Sequence, residues 1–232
     1  MATSVVFLKS IGEVTLFRNR RSKKIKISVR PDKSIFVSFP YYVSEKEVLS
    51  VIAKSESRIR SHIQQIGEKQ FLISEGLVLN TKFHKICFCK GDNDDIQIKG
   101  KTLEVTFRDF DSDRSRDMAD HLITRVYRVE ARNILPRRLR ELAEKYGFSY
   151  NKVTVRNNKC NWGSCSSGNN ISLNLQMMKL PDELIDYILL HELVHTQVKD
   201  HSSRFWERLD RVTGGNAKGL AKEVKKYSTY SF

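Results

Sequence analysis

The 232-residue sequence lacks any run approaching the roughly 18 consecutive apolar residues that span a bilayer. The longest early apolar run, Val5 to Leu8, is too short for a signal peptide. We therefore expect a soluble cytoplasmic protein with no membrane partner.

Cysteine is scarce, and so are biased segments. The four cysteines, Cys87, Cys89, Cys160 and Cys165, are too few for a secreted disulfide scaffold. There is no internal repeat and no low-complexity tract. Because 40% of the residues are hydrophobic, the chain can bury a core. We expect a folded intracellular protein with free thiols.

Acidic residues are the minority charge, with 27 Asp and Glu against 41 Lys and Arg, which gives a net charge of +14. This excess suits nucleic acid, an anionic membrane surface or a small polyanionic substrate. The densest basic segment contains no acidic residue and comprises Arg18, Arg20, Arg21, Lys23, Lys24, Lys26 and Arg30. It indicates a nucleic acid or other polyanion as a possible partner, although charge runs are usually only solvated faces.

The hydrophobic pattern predicts an α+β fold. Apolar residues alternate with polar ones over 25–29 and 35–39, as in half-buried strands, and again in a hairpin around Gly100. Ser44 and Glu47 form a capping box that opens one helix, ending near Gly67. From about Asp113 the pattern becomes helical, with a break or kink expected at Pro136. We therefore predict a basic β-rich region with one helix at 1–112 and a mainly helical module with a small sheet at 113–232.

Residues 191–195 read His-Glu-Leu-Val-His inside a helix predicted from Pro181 and Asp182 to about Lys199. Histidines at i and i+4 project from the same helix face, so that both imidazoles can bind one Zn²⁺. Glu192 then lies beside the metal, where it can activate a zinc-bound water as the general base. Two solvated surface histidines are the plainer interpretation of this short motif.

A catalytic zinc normally has three protein ligands and one position for water. His201 lies ten residues after His191, just past the expected helix end, and supplies the third ligand. The long zincin motif has the same interval but a glycine at the position of Val198. The metal ligands predicted for Zn²⁺ are therefore His191, His195 and His201, with Glu192 as the catalytic residue.

Several segments around this motif resemble the YgjP-like metallopeptidase family. They are Cys160–Ser166 (CNWGSCS), Ile171–Leu175 (ISLNL), Leu180–Tyr187 (LPDELIDY), His191–His195, His201, and Phe205 with Trp206. The match is specific over about residues 150–210 and weaker in the N-terminal half. It implies a zincin-like catalytic module in which three histidines hold zinc. The basic residue that often precedes the Trp-Gly-Ser-Cys run in that family is replaced here by Cys160 and Asn161.

The sequence leaves more than one possibility for the bond that is hydrolysed. The leading prediction is a zinc-dependent metallopeptidase acting on a peptide or protein. The alternatives are a metal-dependent nucleotide pyrophosphatase or other phosphohydrolase, and a nucleic-acid-associated protease or binding module. Asn174 is a candidate substrate-binding residue, because zincins hold extended peptides by strand addition. The alternative role of its strand is to support the helix that carries His191.

Overall fold

The structure is a computed structural model that describes residues 3–29, 34–68, 73–158 and 160–229. The chain forms two compact units, residues 1–71 and 72–231. The sheet formed by strands between Val78 and Phe107 belongs to the second unit. The functional boundary predicted near residue 112 stays a prediction.

The first unit is a four-stranded sheet followed by two helices. Its elements are β1 (Thr3–Leu8), β2 (Gly12–Arg18), β3 (Lys26–Val29), β4 (Ile35–Phe39), α1 (Glu45–Lys54) and α2 (Glu56–Glu68). The sheet order is β1-β2-β4-β3, and its central pair, β2 and β4, is parallel. The predicted capping box is confirmed, because the Glu47 carboxylate accepts from the Ser44 backbone N–H at 2.9 Å. The single predicted helix is interrupted at Ser55.

Alternating side chains of β2 and β4 form one side of the core of this unit. They pack against one face of α1 and the start of α2, as period-2 and helical spacing predict. The buried residues are Val14, Leu16, Ile35, Val37, Phe39, Val48, Ile52 and Ile59.

The second unit begins with another four-stranded sheet. Its strands are β5 (Val78–Asn80), β6 (Lys85–Lys90), β7 (Asp95–Lys99) and β8 (Thr102–Phe107). The order β5-β6-β8-β7, with a parallel central pair, repeats the topology of the first sheet. The predicted hairpin is present: β7 and β8 are antiparallel, and Gly100 turns between them with φ +62°.

A single helix, α3 (Asp113–Tyr146), follows this sheet. It continues through Pro136, so a break there is wrong, while the alternative expectation of a kink at Pro136 stays a prediction. Leu135 and Leu139 lie on either side of Pro136 and are both fully buried. Packing on both sides therefore holds the helix together despite the missing N–H. Gly147 ends α3 in the left-handed region, with φ +68°.

The remaining elements surround a three-stranded sheet. They are β9 (Lys152–Arg156), β10 (Gly163–Cys165), β11 (Asn170–Asn174), a 3-10 helix (Leu175–Lys179), α4 (Asp182–Val194), α5 (Ser203–Val212) and α6 (Ala217–Val224). The sheet order is β10-β11-β9, so β10 is an edge strand. β10 contacts α4, the helix that carries His191 and Glu192, and α3 contacts both α4 and the 3-10 helix.

The mixture of separate helices and small mixed sheets confirms the α+β class. All four cysteines are free thiols. Within the described residues, no helix combines the length and the apolar character needed to cross a membrane.

Candidate metal centre and active site

Helix α4 positions the first half of the predicted motif. Its apolar residues bury it on most sides, and His191 and Glu192 lie in its last turn. The helix ends at Val194, earlier than the predicted end near Lys199. The backbone tightens there, because the N–H of Thr196 and Gln197 bond carbonyls only three residues back, at 3.0 Å each. His195 is therefore the helix C-cap.

The chain after α4 turns back toward the helix and brings His201 beside it. The Val198 carbonyl accepts a hydrogen bond from His195 Nδ1 at 3.0 Å, which fixes this turn. Among the described residues other than glycine, Asn169 alone has a positive φ, so Val198 needs no glycine-like backbone. The departure from the long zincin motif at Val198 does not prevent the turn.

The three histidines meet at one point. The Nε2 atoms of His191, His195 and His201 lie 3.2 Å from one another in every pair. Tetrahedral zinc with nitrogen ligands at about 2.0 to 2.1 Å places those nitrogens about 3.3 to 3.4 Å apart. Within the described part of the chain, this is the one group of three or more potential metal ligands that converges in this way.

The protonation of His191 and His195 fits a metal ion. Since a carbonyl oxygen only accepts, His195 Nδ1 carries its proton toward Val198, which leaves the Nε2 lone pair free to bind a cation. Burial, with smaller contributions from His195 and His201, lowers the pKa of His191 to about 3. Burial also lowers the pKa of His195, although its hydrogen bond to Val198 opposes this. Neutral imidazoles whose lone pairs converge form a donor set for a divalent transition metal.

Glu192 lies next to this cluster and is only 5% exposed. Its Oε2 atom is buried and has no hydrogen-bond partner within the described residues. Burial raises the pKa of the Glu192 carboxyl to about 8. An unsatisfied buried carboxylate oxygen is costly in a purely structural setting, which favours a partner supplied from the site.

Gly163 lies against Glu192 where β10 passes α4. A Cβ atom at this position would lie 2.7 Å from both Cγ and Oε1 of Glu192. Gly163 is not among the glycines with positive φ, so its role is space rather than a turn. The sequence contains the Trp-Gly-Ser-Cys run but gives no signal for this contact.

Phe205 of α5 is the packing base of the cluster, a role that the sequence did not reveal. It is fully buried, and its ring centroid lies 4.9 Å from that of His191, 4.5 Å from that of His195 and 4.8 Å from that of His201. Phe205 and Leu209 are the buried residues of α5. The three imidazoles rest on one aromatic side chain, which restricts their orientation.

Lys199 fastens the segment that carries His201 to the turn between β10 and β11. Its Nζ donates to the Ser166 carbonyl at 2.8 Å and to Asn169 Oδ1 at 2.5 Å. His201 itself is exposed, while His191 is partly buried. The cluster therefore lies at the surface and is open on the side of His201.

Asn174 is buried, at 1% exposure, and its amide bonds the protein on all sides. Nδ2 donates to the carbonyls of Asn158 at 2.6 Å and Asn161 at 2.9 Å. Oδ1 accepts from the N–H of Gln176 at 3.1 Å and of Asn158 at 3.3 Å. These bonds hold the segment before β10 against β11. A substrate contact by Asn174 stays a prediction.

Comparison with solved structures found similarity to two metallopeptidase zymogens. The crystal structure of the metallopeptidase zymogen abylysin from Pyrococcus abyssi is 27% identical, and that of jannalysin from Methanocaldococcus jannaschii is 20% identical. Each match covers 40% of this chain and 94% of the other, with a TM-score of 0.36. A search of curated proteins found no match.

Comparison with protein families gives a match over a longer part of the chain. The YgjP-like metallopeptidase domain matches residues 23–226, which is most of the chain and includes every residue of the histidine cluster. This match confirms the resemblance observed in the sequence. The chain belongs to the YgjP-like metallopeptidase family, and this membership supports a metal-dependent peptidase.

Proposed function

We propose that this protein is a zinc-dependent metallopeptidase in which His191, His195 and His201 hold the metal and Glu192 is the general base. The observation that carries the proposal is the convergence of three Nε2 atoms at 3.2 Å from one another. Three imidazole nitrogens favour zinc over magnesium or calcium, which prefer oxygen ligands.

The metal ligands do not transfer protons, so a neighbouring residue has to do this. When bound at these histidines, zinc supplies a Lewis acid that polarises the scissile carbonyl and lowers the pKa of water in the site. Glu192 Oε2 accepts a proton from the attacking water and delivers it to the nitrogen of the leaving amine. Because Oε2 makes no other hydrogen bond within the described chain, it is free for both transfers.

The surrounding residues fix this geometry. The Nδ1–H bond to Val198 sets the tautomer of His195, so that Nε2 faces the cluster. Gly163 leaves room for the Glu192 carboxylate. Ionisation of Glu192 is disfavoured by burial but favoured by a divalent cation close by. A bound divalent cation would therefore favour the ionised form in which Glu192 accepts a proton.

The variant Glu192→Gln tests this function. It keeps the shape of the side chain but removes the base, so we expect peptide hydrolysis to fall by a factor of about 100 to 10,000. Zinc content should stay unchanged, since Glu192 is not a ligand in this proposal. The measurement is cleavage of casein and short fluorogenic peptides, together with elemental analysis of the purified protein. Undiminished hydrolysis by Glu192→Gln would refute the assignment of the base.

The same assay distinguishes the other hydrolase function. Nucleoside triphosphates are offered beside the peptides, and release of phosphate or pyrophosphate is measured. We expect metal-dependent peptide cleavage and no phosphate release. Phosphate or pyrophosphate release without any peptide cleavage would replace the peptidase by a phosphohydrolase.

A further inference from the structure

Because β2 and β4 are parallel, the segments that follow them leave the sheet side by side, at the same end of the two strands. The ends of both strands meet there, with Arg18 paired to Phe39. The following turn is tied to β4 by the Asn19 N–H, which donates to the Phe39 carbonyl at 2.9 Å. Side chains of the turn and of Tyr41 therefore share one surface.

These segments line a cleft of about 580 Å³, which we call the Tyr41 cleft. Its lining residues are Phe17, Arg18, Asn19, Arg20, Arg21 and Tyr41. The guanidinium carbons of Arg18 and Arg20 lie 5.9 Å and 5.5 Å from the centroid of the Tyr41 ring. Tyr41 is still 53% exposed. The cleft thus combines guanidinium groups with a half-exposed aromatic side chain.

Hydrogen bonds connect the segments that line the cleft. Arg18 Nη1 donates to the Tyr41 carbonyl at 3.2 Å, and the Arg21 N–H donates to Asn19 Oδ1 at 2.9 Å. Next to the cleft, Tyr42 Oη donates to the Lys23 carbonyl at 3.3 Å, and Tyr42 is 80% exposed. These bonds hold two tyrosines and the basic turn together before any ligand binds.

The charge around the Tyr41 cleft is nearly all positive. The sequence from Val14 to Arg30 and from Lys33 to Ser44 contains no Asp or Glu. Glu45 lies 4.0 Å from Arg18 and partly neutralises it. The other cations of the turn, Arg20, Arg21, Lys23 and Lys24, make no ion pair with any described residue. Arg30 lies outside the described residues.

We propose that the Tyr41 cleft binds single-stranded nucleic acid, with a base stacked on Tyr41 and phosphates bound by Arg20 and Arg21. Guanidinium groups bind phosphate oxygens in pairs, and bases stack on aromatic and guanidinium planes. An acidic peptide has the charge but lacks the flat faces that use Tyr41. A duplex hides its base faces, so a single strand fits better. The proposal does not depend on the metal site.

The test is fluorescence anisotropy of labelled 20-residue oligo(dT) and oligo(rU) with the full-length protein over a range of salt concentrations. We expect binding that weakens steeply with salt. Tyr41→Ala should weaken the affinity about tenfold or more, because one stacking contact is lost. Tyr41→Phe should keep the affinity of the unmodified protein, because the aromatic ring is retained. Removing Arg20 and Arg21 together should reduce the salt slope by about 0.7 for each lost phosphate contact.

Lys9→Ala is the matched control, since Lys9 is exposed in the turn at the other end of β2, about 20 Å of strand away. It should change affinity by less than about twofold. Thermal midpoints check that each variant is folded. Tighter binding of oligo(dT) or of oligo(rU) identifies the strand as DNA or RNA, and either supports the proposal.

Four results would overturn the proposal: no binding at low salt, equal binding of duplex DNA, equal competition by polyglutamate, or full binding by folded Tyr41→Ala. The first result would show that the cleft does not bind nucleic acid. Each of the others would show that the protein binds polyanions in general, without a base stacked on Tyr41. Because these readouts use no peptidase substrate, failure here leaves the test of Glu192 unaffected.

Discussion

Gly163 lies where β10 passes Glu192, and because glycine has no side chain, the Glu192 carboxylate has room to occupy its position. The contact joins two segments far apart in the sequence, so no local pattern reveals it. The spacing of His191, His195 and His201 is different, because a helix face and a short turn are local features. The convergence of these three rings agrees with the spacing argument, whereas the reason for the glycine appears only in the folded chain.

We predict that Gly163→Ala displaces the Glu192 carboxylate and lowers peptide hydrolysis by about 100-fold, as for a misplacement of about 1 Å. The histidines are untouched, so zinc content should remain that of the unmodified protein. The matched control is Gly168→Ala, because a Cβ there meets only Asn170 Nδ2, at an ordinary 3.5 Å. Equal activity of the two variants would show that Glu192 tolerates the added methyl group.

Among the elements, α4 determines the site, because the residue at which it ends decides where His201 lies. A helix continuing to Lys199 would carry the chain away, whereas the end at Val194 lets the following turn return His201 to His195. Glycine or proline often marks a helix end in a sequence, and neither occurs here. The sequence therefore predicted the helix and its histidines but misplaced its end. It also missed β10, since three residues in a polar loop give no strand periodicity.

The turn between β5 and β6 is held by Glu130 of α3, which is fully buried. The Glu130 carboxylate accepts from Thr81 Oγ1 at 2.5 Å, the Lys82 N–H at 3.0 Å and the Phe83 N–H at 2.9 Å, and it contacts His84 Nδ1 at 2.8 Å. Lys82 in turn donates to the Leu180 carbonyl at 2.9 Å, just before α4. One carboxylate thus connects a sheet, the long helix and the start of the helix that carries His191.

We predict that Glu130→Ala lowers the free energy of unfolding by about 3 kcal/mol or more, because buried donors lose their partner. Glu144→Ala, at an exposed position of the same helix, should change it by less than about 0.5 kcal/mol. Urea denaturation followed by circular dichroism measures both. If the Glu130→Ala protein were as stable as Glu144→Ala, the hydrogen bonds of Glu130 would not stabilise the fold.

At the scale of the whole molecule, the two four-stranded sheets share one topology that the sequence did not reveal. The order of pairing is a property of the backbone, and the two sets of strands need not share residues. The net charge of +14 is also a property of the whole chain. This positive charge points toward polyanions and gives no sign of the histidine cluster, whose chemistry depends on three converging imidazole nitrogens.

The zinc content of the purified full-length protein tests the central claim most directly. We predict close to one zinc per chain in the unmodified protein and in His121→Ala, which removes an exposed histidine of α3. His201→Ala removes one of three ligands and should lose most of its zinc on dialysis, together with peptide hydrolysis. Elemental analysis of the three proteins side by side gives the answer. Full zinc occupancy in His201→Ala would contradict the three-histidine centre.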